Sequence, residues 1–329
     1  MQKIIPPKLQ KGDGVRIIAP ARSLAMISQE TRDIANHRLQ EELGLKLTFG
    51  EHVEEKDDFI SSSVASRIAD LHAALADKTV KGILTVIGGF NSNQLLDAID
   101  WNLIKSNPKI MCGFSDITAI NNAFFAKTGL VSYSGPHYST FGQKLHFDYT
   151  LDYFKKCVMS SDPFKVIPSK EWSDDEWYLN QDVRNPIPNE GYWVIHPGKA
   201  QGTILGANLC TLNLLQGTQY MPDLTNSVLF LEDDYESQPH HFDRDLQSLI
   251  HLPNFSRVKG LAIGRFQKRS NVTRKLLEQI INTKKALEAM PVIANVDFGH
   301  SDPKITFPVG GTVSLDVSPS STKIIITEH

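Results

Sequence analysis

Short apolar runs rich in β-branched residues alternate along this chain with stretches whose apolar residues recur every three to four positions. Gly14 to Ala19 (GVRIIA) is such a run, halted by Pro20, and Gln29 to Leu43 then carries Ile34 and Leu43 among charged residues, which predicts a strand followed by a helix. Val64, Ile68, Leu71 and Leu75 fall at helical spacing, and Gly82 to Ile87 (GILTVI) predicts a second strand ending in Gly88-Gly89. A third strand over Lys109 to Cys112 leads through Gly113-Phe114-Ser115 into a helix from about Asp116 to Lys127. Strands apolar on both faces that alternate with helices imply a parallel sheet, with ligand sites outside the carboxyl ends of its strands.

From Phe154 to Gly198 the periodicity fails, and Trp172, Trp177, Tyr178, Tyr192 and Trp193 stand among Asp, Asn and Pro residues, as in a linker followed by a long irregular loop. Order resumes over Gly202 to Leu215. Beyond it the pattern predicts strands at Ser227–Leu231, Gly260–Ile263, Val292–Val296, Thr312–Val317 and Lys323–Thr327, with helices over Asp243–Leu252 and Val272–Met290. A length of 329 residues favours two domains or one large α/β domain. The expected division is 1–153, a linker and aromatic loop region over 154–198, and a second, increasingly β-rich domain over 199–329.

Composition narrows the partners. A formal net charge of −3 supplies no global attraction to nucleic acid or anionic membranes. The N-terminal segment lacks the apolar core of a signal peptide and no stretch reaches membrane-spanning length, so the chain reads as cytoplasmic. Cys112, Cys157 and Cys210 are odd in number and widely spaced, which suits reduced thiols rather than a disulfide framework or a Cys-rich zinc site.

Four segments carry candidate chemistry. Ser115 lies at a strand-to-helix turn, either as a nucleophile with backbone N–H groups nearby or as a helix N-cap. Gly88-Gly89-Phe90-Asn91-Ser92-Asn93 also ends a buried strand, as an anion- or ligand-binding loop or as a tight structural turn, and it is not a dinucleotide fingerprint. Glu232 heads an acidic run, Asp233, Asp234 and Glu236, that would ordinarily form a solvated face, yet it directly adjoins an apolar strand. His300 follows the strand Val292–Val296 and is either a general base or an ordinary loop residue. The adjacent His240-His241 has no evident third ligand and is read as a polar loop rather than a metal site.

In order and spacing, IAPA (18–21), IGGFNSNQ (87–94), CGFSDIT (112–118), GPH (135–137), LGANL (205–209), LED (231–233) and DFGH (297–300) resemble the LD-carboxypeptidase family over nearly the whole chain. Within it the resemblance is to the branch of microcin C self-immunity peptidases. It implies an N-terminal Rossmann-like parallel-sheet domain followed by a smaller β-rich C-terminal domain, with the site between them, and a homodimer. It also implies a Ser115, Glu232, His300 triad, an oxyanion held by the backbone N–H groups of Gly89 and Asp116, and no metal or cofactor. Trp177, Asn208 and Phe90 become substrate-contact candidates; Trp177 either stacks on an adenine or pins the aromatic loop. The favoured substrate is an aminoacyl or peptidyl nucleotide, and the runner-up a murein tetrapeptide. A silent ligand-binding module is the reading of another class, while Pro20-Ala21-Arg22-Ser23 after the first strand opposes an NAD-dependent oxidoreductase.

Overall fold

The computed structural model describes residues 2–329. Strands β1 (Gly14–Ile18), β2 (Lys46–Phe49), β3 (Val80–Thr85), β4 (Ile110–Cys112) and β5 (Ser132–Ser134) are parallel, in the order β5-β4-β3-β1-β2. The order reverses direction between β1 and β3, the place where open α/β sheets leave a crevice for ligands. β2 was not predicted, because Lys46-Leu47-Thr48-Phe49 is an exposed edge strand without an apolar run. The expected helix over 29–43 is an α-helix only to His37 and continues as a π-helical turn over Arg38–Glu42.

The segment 154–198 is less irregular than its composition suggests. The helix Asp148–Val158 runs into it, followed by β6 (Phe164–Val166), the antiparallel pair β7 (Glu171–Trp172) and β8 (Ile187–Pro188), and β9 (Trp193–His196). β6 and β9 form the two edges of an eight-stranded second sheet. Its centre is parallel: β10 (Gly198–Asn208), β11 (Ser227–Glu232), β12 (Gly260–Gly264) and β13 (Val292–Val296) lie side by side. The chain then returns to the first sheet, where β14 (Phe307–Val309) pairs antiparallel with β5, before β15 (Thr312–Val317) and β16 (Lys323–Glu328) complete the second.

One helix joins the sheets. Thr118–Thr128 is buried on nearly all sides, so its sequence shows little amphipathic period, and its two asparagines satisfy backbone rather than water. Asn122 donates to the Gly206 carbonyl at 2.8 Å and accepts from the Gly206 N–H at 3.1 Å, and Thr118 Oγ1 accepts from the Asn208 N–H at 3.1 Å. The turn that ends β4 is thereby tied to the end of β10, and the carboxyl ends of the parallel strands in both sheets border one cleft.

Candidate active site

Ser115 follows β4 as the first residue of a helical turn that continues into Thr118–Thr128, with φ of +60°, a left-handed value that few non-glycine residues adopt. The turn is crowded: a Cβ on Gly88 would lie 2.9 Å from the Ser115 Cβ, so only glycine lets the loop after β3 approach this closely. Asp116, 2% exposed, clamps that loop, its Oδ2 accepting from the N–H groups of Asn91 (3.1 Å) and Ser92 (2.9 Å). Ser115 Oγ makes no cap; its partner is His300 Nε2, at 3.0 Å.

His300 Nδ1 lies 2.8 Å from Glu232 Oε2, and Glu232, the last residue of β11, is 2% exposed. The turn carrying His300 is held by Asp297, which receives Arg265 Nη1 at 2.6 Å, the Ser169 N–H at 2.7 Å and the Ser169 hydroxyl at 2.8 Å, all in the interior. Gly299, with φ of +103°, lets the turn pass over Glu232: a Cβ there would come 2.7 Å from Oε2. Burial opposes protonation of His300, but the charges of Glu232, Asp234 and Asp233 and the hydrogen bond to Glu232 outweigh it and raise its pKa above the usual 6.5. A hydroxyl, an imidazole and a carboxylate are thus joined in one line across two sheets.

The other predicted residues fall around this line. The Gly89 N–H has no acceptor among the described residues, and the Asp116 N–H belongs to a first helical turn, where no intrahelical acceptor exists. Phe90 is 64% exposed beside Ser115, with the Arg22 guanidinium 5.0 Å from its ring centre. Trp177 and Tyr178 border the same cleft, their rings edge-to-face at 5.9 Å. Asn208 lines a smaller adjoining hollow that also reaches Ser115, with its amide already engaged: Oδ1 accepts from Thr211 and Nδ2 donates to Asp233 at 3.1 Å. Within the acidic run Glu236 is exposed and Asp234 half-buried, as on a solvated face, but Asp233 turns inward and is 2% exposed. Burial, reinforced by the charges of Glu232 and Asp234, pushes its carboxyl up to about 8.

Two features escaped the sequence reading. His137, a landmark there with no role, is buried at the cleft wall with its Nδ1 2.7 Å from Thr85 Oγ1 and its Nε2 without a partner. Burial, and then the like charges of His300 and Lys304, push its pKa down to about 3, so its ring is neutral. Arg22 and Arg269 border the cleft with no carboxylate partner among the described residues. His240 and His241 pack ring against ring at 4.2 Å, and His241 serves the N-terminal capping box of the helix Pro239–Ile250. No cluster disposed for a metal ion occurs among the described residues.

A hydroxyl, an imidazole and a buried carboxylate linked in this order are the parts with which serine hydrolases transfer acyl groups. The chain belongs to the LD-carboxypeptidase family: residues 15–135 match its N-terminal domain and residues 201–315 its C-terminal domain. It is 54% identical to the Bacillus subtilis protein named "Putative carboxypeptidase YocD", covering 98% of this chain and 99% of that one. It is 29% identical to a second B. subtilis protein, named "Probable murein peptide carboxypeptidase", covering 97% and 93%. Among solved structures, an MccF-like protein from Bacillus anthracis superposes with a TM-score of 0.98 at 50% identity, covering 99% of this chain and 100% of that one. The microcin C7 self-immunity protein MccF, known from Escherichia coli and solved in complex with aspartyl sulfamoyl adenosine, superposes with a TM-score of 0.87 at 26% identity, covering 99% of both chains.

Proposed function

We propose that this enzyme hydrolyses an amide bond between an aminoacyl or peptidyl group and a nucleotide, by acyl transfer through Ser115. The observation that carries the reading is the unbroken line from Ser115 Oγ to His300 to Glu232, at 3.0 and 2.8 Å, opening into a cleft with aromatic rings and unpaired arginines. His300 Nε2 takes the Ser115 proton as Oγ attacks the amide carbonyl. Glu232 holds Nδ1–H and stabilises the imidazolium, and the N–H groups of Gly89 and Asp116 receive the oxyanion. The imidazolium then protonates the leaving nitrogen, and water repeats the sequence on the acyl-enzyme.

The leaving group is assigned to the cleft of about 590 Å³ that Trp177 and Tyr178 border. An indole face accepts a purine, and the free Arg22 and Arg269 suit a phosphate. The aspartyl sulfamoyl adenosine held in the solved MccF complex supports this reading, which extends to detoxification of a microcin C-like compound. The named role of the murein-peptide relative favours a second reading, release of a D-amino acid from a murein tetrapeptide. A homodimer in a reducing cytoplasm completes the proposal, in keeping with the free thiols Cys112 and Cys157; light scattering checks the dimer.

Incubation with aspartyl sulfamoyl adenosine and with a murein tetrapeptide, followed by mass, separates the two readings. Release of aspartate, absent in Ser115→Ala, is the expected result. Release of D-alanine alone would transfer the enzyme to cell-wall recycling, and binding without turnover of either would leave a ligand-binding module.

A further inference from the structure

The loop that presents the Gly89 N–H is held by a buried cation that the reaction itself does not use. Arg67, in the helix Val64–Ala76, is 3% exposed and borders neither hollow of the site. Its Nη1 donates to the Pro20 carbonyl at 3.2 Å and to the Asn91 carbonyl and Asn91 Oδ1, both at 3.1 Å, and its Nη2 donates to Gln94 Oε1 at 2.8 Å. All four acceptors are neutral, so the guanidinium is committed to loop carbonyls and amides rather than to an ion pair. Burial lowers its pKa, against the charges of Asp116 and then Asp57, which favour the cation. A buried guanidinium is destabilising unless its N–H groups are engaged, and its planar fork is what reaches acceptors in several directions at once. Nε alone lacks a partner.

Asp116 holds the same turn by its other backbone groups. Its carboxylate takes the N–H groups of Asn91 and Ser92, while the Ser92 hydroxyl donates to the Asp116 carbonyl at 2.7 Å. Asn91 is thus gripped at its N–H by an anion and at its carbonyl by a cation. The loop after β1 is drawn into the same knot. Arg67 reaches Pro20, and Ser61, 1% exposed, donates to the Ala21 carbonyl at 2.7 Å and lies 3.3 Å from Asn91 Oδ1. Between these ties Gly89 has little room to move: a Cβ on it would come 3.1 Å from the Ala21 Cβ and 3.2 Å from Arg22 Cγ, and the Arg22 N–H meets the Gly88 carbonyl at 3.4 Å.

We propose that Arg67 is a positioning residue for the oxyanion site: without touching the substrate, it locks the loops after β1 and β3 together and so fixes the Gly89 N–H relative to the N–H of Asp116. The inference rests on the reading of these two groups as oxyanion donors of an amide hydrolase and adds what holds them in register. Such donors act on charge that develops only in the transition state, and a displacement of about 1 Å lowers a rate by about 10²-fold. Loss of Arg67 therefore falls on kcat rather than on KM.

Steady-state kinetics on whichever of the two proposed substrates the wild-type protein cleaves tests this, with urea unfolding to give the folded fraction of each variant. Arg67→Met keeps the apolar stem and is expected to lower kcat about 10²-fold with KM unchanged within about twofold, and Arg67→Lys to recover part of the loss. Asn91→Ala removes one acceptor and leaves the buried guanidinium the other three, so it is the milder variant, with kcat lowered about tenfold; it decides the matter if Arg67→Met does not fold. In both, the acid limb of the pH–rate profile stays where it is in the wild type, because His300 and Glu232 are undisturbed. Full kcat in these variants, a change in KM alone, or a loss no larger than the unfolded fraction accounts for would overturn the proposal. A wild-type protein that cleaves neither substrate would instead overturn the reading of the site, and this role with it.

Discussion

His300 can take a proton from Ser115 only while its ring is neutral. Its pKa is raised, so kcat/KM climbs with pH through an acid limb centred above 6.5, and a pH–rate profile measures this. Glu232→Gln removes the neighbouring negative charge. The limb then moves to lower pH while the rate falls by about 10⁴-fold, the effect of losing an orienting carboxylate. Gly299→Ala forces a Cβ to within 2.7 Å of Glu232 Oε2 at a left-handed backbone position. Displacement of the carboxylate predicts a loss in kcat of about 10²-fold, checked by steady-state kinetics beside an unfolding curve. At this scale the sequence points to Ser115 and His300 only as strand-end residues with bland alternatives, and the resemblance to a family joins them. Asp233 was misread because an acidic run carries no sign of which members turn inward.

The elements that present these residues are tied by polar contacts more than by their own periodicity. Asn122 exchanges both its amide groups with the Gly206 backbone, so Asn122→Ala leaves a buried N–H and carbonyl unpaired. A loss of about 1–3 kcal/mol per stranded group is expected in urea unfolding. Strands with long apolar runs, such as Ser227–Glu232, were legible because they are buried on both faces. Lys46–Phe49 and Ser132–Ser134 were not, because unlike the equally short Ile110–Cys112 they interleave polar residues and show no apolar run, and Pro308 makes Phe307–Val309 read as a turn rather than a strand. Nor could Arg265 be paired with Asp297 from sequence, since the contact spans 32 positions.

Across the whole molecule the two sheets share an aromatic cluster. Phe307 of the first sheet lies 5.0 Å from Phe230 of the second and 5.2 Å from Phe298 in the turn that carries His300. Phe307→Ala therefore destabilises both sheets together, by about 3–5 kcal/mol, and near- and far-ultraviolet dichroism should report one shared transition shifted to lower urea. The sequence showed parallel and β-rich regions in turn but not the return of the chain from the second sheet to the first, because nothing local encodes which edge a short strand joins. The central claim is that Ser115 from one sheet and His300 from the other act as a single unit. Its most direct measurement is kcat/KM for Ser115→Ala, His300→Ala and the double variant on whichever of the two proposed substrates the wild-type protein cleaves. Each single change is predicted to lower it by at least about 10³-fold, and the double to lower it no further. Retention of activity in Ser115→Ala, or losses that multiply in the double variant, would contradict the account.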